Sequence, residues 1–169
     1  MMETVNTVRG IIDKVLSGVC SLMFAAMVCI GTYQIVTRYV FNSPSTVSEE
    51  LLTYTFAWMA LLVSALVFGK RGHMRVAFLA DKVTGKAKVM LEVAVEALVV
   101  AVAVIVLLYG GFTIMQLTMS QKTASLGISM GMVYSVVPIT GALIGIYGIF
   151  NIMDLLTGNA GGSQRAGKE

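Results

Sequence analysis

The chain has 169 residues, 57% of them hydrophobic and 12% charged, with a formal net charge of +3 and a mean hydropathy of +0.84. A soluble domain of this length needs more polar residues to cover its surface, so the composition excludes an ordinary globular protein and points to the membrane. The basic residues border apolar segments rather than form a patch, which excludes nucleic acid as a partner.

Crossing a hydrocarbon core of roughly 30 Å takes about 20 helical residues. Four segments are long enough: Val15 to Val36, Leu51 to Phe68, about Ala97 to Leu117, and Met132 to Met153. The expected fold is an all-α integral membrane protein with four transmembrane helices, forming one membrane domain over residues 1–157. Met1 to Lys14 is an amphiphilic lead-in, helical near its end. The first apolar segment is longer than that of a secretory signal, and no small-x-small cleavage site closes it, so it is read as a retained signal-anchor helix. Its two cysteines, Cys20 and Cys29, are about 13 Å apart along one helix, too far for a mutual disulfide, and are read as small packing residues.

The turn "YVFNSPS", Tyr39 to Ser45, carries the Asn, Ser and Pro that punctuate helices. Ser48 is the expected N-cap of the second helix, placing Glu49 and Glu50 in a first turn where the helix dipole favours carboxylates. After that helix, Val76, Leu79 and Val83 fall at helical spacing among polar residues, which predicts a short interfacial helix stopped by Gly85. The third helix is expected to begin near Lys86, with Glu92 and Glu96 four residues apart on one face ahead of the apolar span. In the fourth, Pro138 predicts a kink. Small residues recur at packing spacing: Gly18, Ser21, Ala25, Cys29 and Thr32 on the first helix; Thr53, Ala57, Ala60 and Ser64 on the second; Gly141, Gly145 and Gly148 on the fourth. Such stripes let membrane helices approach closely. Residues 158–169, "GNAGGSQRAGKE", are polar and glycine-rich and read as a disordered tail.

Charge asymmetry orients the chain. Arg9 and Lys14 precede the first helix, Arg165 and Lys168 follow the fourth, and Lys70, Arg71, Arg75, Lys82, Lys86 and Lys88 lie between the second and third. The other two connections hold only Arg38 and Lys122. Both termini and the interfacial helix are therefore assigned to the cytoplasm, and Glu49 and Glu50 to the outer face.

None of the four spans contains Lys, Arg, Asp, Glu or His. A protein that moves ions or acids by itself keeps ionisable groups near the bilayer centre, and a small exporter would carry an acid within its first helix, whereas Asp13 lies ahead of it. A haem-bearing anchor needs facing histidines, and His73 is the only one. No metal cluster, phosphate loop or nucleophile–base arrangement is visible, so no catalytic residue, metal or cofactor is expected. What remains are interfacial charges and one tryptophan. A hairpin of the first two helices brings Arg38 near Glu49 and Glu50: one carboxylate is free to pair with Arg38 and the other to meet a partner, with plain solvated charges as the alternative. Trp58 lies ~12 Å deeper than Glu50, where its indole N–H needs an acceptor on its own bundle or on a partner subunit.

These residues carry a resemblance. The Arg–Tyr–x–Phe turn (Arg38, Tyr39, Phe41), the pair Glu49–Glu50, Trp58, and the Gly–His–x–x–Val sequence of Gly72, His73 and Val76 resemble the small membrane subunit of tripartite ATP-independent periplasmic (TRAP) transporters. "TASLGISMGMVYSVVPITGAL", Thr123 to Leu143, resembles the start of that family's fourth helix, with Tyr134 and Pro138 in place. Departures are Val47, where the family often has Trp, and Ser129 and Gly131, where Pro and Trp are common. The resemblance implies sodium-coupled import of organic acid anions across the bacterial inner membrane. It also implies a periplasmic binding protein and a large membrane subunit as partners, with membrane lipid around them and sodium held by the large subunit. This chain would be the scaffold, with Arg38, Glu49, Glu50, Trp58, His73 and Tyr134 as its contact and motif residues. The competing expectation is a self-contained four-helix transporter or exporter acting as a homodimer.

Overall fold

A computed structural model describes residues 2–70 and 86–156. The first helix, α1 (Met2–Tyr39), is continuous with the lead-in, and α2 (Thr46–Gly69) returns antiparallel to it. The third span is composite: α3 (Lys86–Val102), a π-helical segment (Ala103–Gly110) and α4 (Gly111–Leu117). The fourth is divided into α5 (Met130–Tyr134) and α6 (Val136–Leu156). Four helices are long and apolar enough to cross a membrane.

At ~1.5 Å per residue, the 38 residues of α1 reach well beyond the thickness of a bilayer. Its inward face is set by Leu16 and Cys20, both buried. Cys20 meets Leu62 of α2 and Val136 of α6 in an apolar cluster extended by Met23, Trp58 and Leu143. The turn after α1 passes through Asn42 in the left-handed region (φ 48°), which asparagine tolerates better than most residues. Ser45, not Ser48, caps α2: its hydroxyl accepts the Ser48 N–H at 3.3 Å, while the Ser48 hydroxyl donates back to the Ser45 carbonyl at 3.0 Å. The helix starts earlier than the expected cap because Ser45, already extended, is the first residue able to make that bond.

The helices pack in the order α1, α2, α6, third span. α6 is the hub. Half of the residues in the fourth span's most apolar window are buried within the chain, against 17% for α2, 11% for α1 and 6% for the third span. Glycines on α6 and on the third span allow this. A Cβ on Gly141 would lie 2.6 Å from the Leu108 backbone nitrogen, and one on Gly111 would lie 2.8 Å from a Val137 methyl. The π segment thus runs with its backbone against α6 at Gly141. Uniformly apolar residues there carry no periodic signal, and the π geometry was not legible from them. Pro138 does more than bend the fourth helix. Lacking an N–H, it leaves the Tyr134 carbonyl without its helical donor, and the helix stops at Ser135. It resumes when Ile139 N–H bonds the Ser135 carbonyl at 3.3 Å.

The small-residue stripes divide differently from expectation. Gly141 and Gly148 sit in close contacts, a Cβ on the latter meeting a Val100 methyl at 2.1 Å, but one on Gly145 finds only Val104 at 3.9 Å. Gly18, Ser21, Ala25, Cys29 and Thr32 on α1, and Thr53, Ala57, Ala60 and Ser64 on α2, are all exposed. They point away from the chain together with large apolar residues such as Leu22, Phe24, Val28 and Phe56, which are exposed as well. His73, the expected interfacial helix and the tail lie outside the described residues.

Candidate functional site

The hairpin end, where the α1–α2 turn meets the connection between α4 and α5, gathers most of the motif residues. Glu50 projects from the first turns of α2 towards that connection. Its Oε2 accepts the backbone N–H groups of Ser125 at 2.7 Å and Leu126 at 2.8 Å, and its Oε1 accepts the Tyr54 hydroxyl at 2.7 Å. The loop it holds is itself closed. Thr123 N–H donates to the Ile128 carbonyl at 2.8 Å, Ile128 N–H donates to Thr123 Oγ1 at 3.2 Å, and Gly127 turns the chain at φ 67°. A carboxylate taking two adjacent backbone amides fixes a loop more firmly than a neutral acceptor does.

Glu49 is about 100° further round the helix and exposed, as is Arg38. Of the two readings of the hairpin charges, the Arg38 pairing is not formed among the described residues: Glu50 is turned to the loop and Glu49 outward. Trp58 finds its acceptor inside the chain, donating from Nε1 to the Val133 carbonyl at 2.9 Å, beside the break at Ser135. Tyr134, at the end of α5, is 37% exposed. Met23, Tyr54, Trp58, Met115, Met119 and Met132 line an apolar groove of about 440 Å³ at this end.

The terminal end holds a polar knot that was not expected. Arg9 of α1 donates to Asp154 Oδ2 at 2.9 Å and to Asn151 Oδ1 at 3.1 Å, with its guanidinium 5.9 Å from the Phe150 ring centre. Asn151 Nδ2 donates to Glu96 Oε1 of α3 at 2.6 Å, and the Tyr147 hydroxyl donates to Asp13 Oδ1 at 2.5 Å. Arg9 and Asn151 are buried, at 8% and 1% exposure. Three helices are therefore tied by ionisable and amide groups at one level. The signal was present in the spacing: Arg9 and Asp13 are i, i+4, and Tyr147, Asn151 and Asp154 are i, i+4, i+7, each set on one helix face. Nothing in the side chains of Ser125 and Leu126 marks them as partners of Glu50, because only their backbone takes part.

Between the two ends several hydroxyls turn to their own helices, while the buried Thr140 hydroxyl has no hydrogen-bond partner among the described residues. Thr32, Thr55, Ser64 and Thr113 donate to carbonyls four residues back at 2.8–3.0 Å.

Residues 27–158, most of the chain and all of the hairpin-end site except Met23, match the profile of the family described as "Tripartite ATP-independent periplasmic transporters, DctQ component". The chain belongs to this family. It is 31% identical over 154 residues to the sialic acid TRAP transporter small permease protein SiaQ of Vibrio cholerae, covering 89% of this chain and 88% of that one. A Haemophilus influenzae protein named for a TRAP transporter small permease is 26% identical over 133 residues, covering 79% and 82%. A second of that name is 29% identical over 124 residues, covering 73% and 74%. The TRAP resemblance read from Arg38 to Val76 and from Thr123 to Leu143 is thus correct. As a DctQ component the chain is an inner-membrane protein of a transport system, in a family of transporter parts rather than enzymes.

Proposed function

We propose that this chain is the scaffold of a sodium-coupled TRAP transporter importing an organic acid anion. A periplasmic binding protein delivers the anion, and a large membrane subunit holds the substrate and the sodium. The observation that carries this reading is the emptiness of the chain's own membrane centre. The four spans carry no Lys, Arg, Asp, Glu or His, and the hydroxyls of Thr32, Thr55, Ser64 and Thr113 are bonded to their own helices. An anion crossing such a core would leave its charge unpaired in a low-dielectric medium. The Vibrio cholerae relative is named for sialic acid, an acidic sugar of the proposed substrate class. On this reading the hairpin end faces the periplasm, the start of α1 and the end of α6 lie towards the cytoplasmic side, and Arg38 and Glu49 are the exposed charges available to a partner. The outward small-residue faces of α1 and α2 suit close packing of the large subunit's helices.

Reconstitution tests the division of labour. The purified chain in liposomes is expected to move no solute, and the complete complex with its binding protein and an inward sodium gradient to take up an acidic one. Substrate-dependent uptake by the chain alone would overturn the scaffold reading.

A further inference from the structure

We propose that the polar knot is a register key: Arg9 and Asp13 set the axial position of α1 against α6, which apolar packing leaves free. Within the bilayer, lipid tails are as apolar as Leu or Met, so an apolar helix face sliding by one turn exchanges like contacts for like. The inward face of α1 consists largely of such interchangeable residues, and α1 packs chiefly along α2. A helix of 38 residues with this face has several nearly equivalent positions along its neighbour. Buried polar groups are known to select among such positions, often at some expense in stability.

The numbering of the knot shows how the selection works. Arg9 meets Asn151 and Asp154, and Asp13 meets Tyr147, so the two helices run antiparallel and descend one as the other climbs. Slip α1 by one turn, ~5.4 Å, so that Asp13 takes the level of Arg9. Asp13 then faces Asp154, like charge against like, and Arg9 is carried away from both Asn151 and Asp154. Slip it the other way and Arg9 leaves Asp154 for Tyr147, while Asp13 is drawn one turn deeper, to the level of Leu143 in the apolar cluster. Both displacements are opposed, one by repulsion and one by burial of a carboxylate among apolar groups. Glu96, bonded to the amide of Asn151, ties the same level to α3.

The test relocates the key. Spin labels on cysteines introduced at Val8 and Ile149, both exposed, report the α1–α6 distance in the full chain in lipid nanodiscs, with Cys20 and Cys29 replaced by Ala. The parent should give one narrow distance. In Arg9→Leu/Asp13→Arg the guanidinium sits one turn further along α1. A register key predicts that α1 moves by about one turn, ~5.4 Å along its axis, to bring residue 13 to Asn151 and Asp154. Arg9→Gln, a milder change, should broaden the distribution, and Arg9→Asp/Asp154→Arg should restore the narrow parental distance. An unshifted distance in folded Arg9→Leu/Asp13→Arg would overturn the proposal. So would a distribution in Arg9→Gln as narrow as the parent's, a result that stands even if the double variant does not fold.

Discussion

The carboxylate of Glu50 accepts the backbone N–H of Leu126 at 2.8 Å, across 76 residues of chain. This bond, with its companion to Ser125, resolves why two adjacent acids open α2. They have different work. Glu50 belongs to the fold, stitching the start of the second span to the loop before the fourth, while Glu49 faces outward.

Glu50→Ala should therefore free the loop. Amide hydrogen exchange across residues 124–128 is expected to quicken markedly, because the Ser125 and Leu126 amides lose their acceptor. Glu50→Gln keeps one carbonyl oxygen and should give an intermediate effect. Glu49→Ala should leave exchange in this loop unchanged; equal acceleration by both alanines would show that the pair acts as undivided charge.

Trp58→Phe tests the second stitch between these elements. It keeps an aromatic ring in the groove and removes the donor to Val133 O. A typical hydrogen bond contributes about 0.5–1.5 kcal/mol net. The variant should show a loss of that order in thermal unfolding of the detergent-solubilised chain. No change in the unfolding midpoint would show that the bond contributes nothing measurable.

The glycines of α6 should rank. Gly141→Ala drives a methyl against the backbone of Leu107 and Leu108, which cannot rotate away, so a cost of about 1–3 kcal/mol is expected. Gly148→Ala meets a Val100 methyl, a side-chain group that shifts more readily than backbone, and should cost less. Gly145→Ala should be tolerated, since the nearest atom lies at 3.9 Å. Unfolding midpoints of the three variants check the order.

Orientation is open to labelling. With single cysteines in a cysteine-free background, Ser45→Cys and Lys122→Cys should react with a membrane-impermeant maleimide added to intact cells after outer-membrane permeabilisation. Met2→Cys should react only once the inner membrane is broken. Labelling of Met2→Cys in intact cells would reverse the proposed topology.

Much of this architecture was legible in the residues. Length and apolarity located the four spans, Pro138 marked the break in the fourth, and the indole of Trp58 declared a need for an acceptor. Three things were not legible, each for a physical reason. The partner of Glu50 is backbone, which every residue carries and no side chain advertises. The direction of a small-residue stripe is ambiguous, because a close contact suits a neighbour in another chain as well as one in the same chain; on α1 and α2 the stripes point outward. The knot is hidden because Arg9 reads as a topology signal and Asp13 as a residue ahead of the first span, and only the fold brings Asp13, Glu96 and Asp154 near Arg9.

The hub position of α6 also bears on biogenesis. Ribosomes make the N-terminus first, so the helix against which α2 and the third span are packed is the last to be made. Until it arrives, α1, α2 and the third span enter the bilayer without the surface that organises them, and Arg9 and Asp13 wait at its edge without their native partners. Packing of the first three spans therefore waits on the synthesis of α6. A nascent chain arrested before Val136 should present an open, protease-sensitive set of helices, with the closing piece still to come.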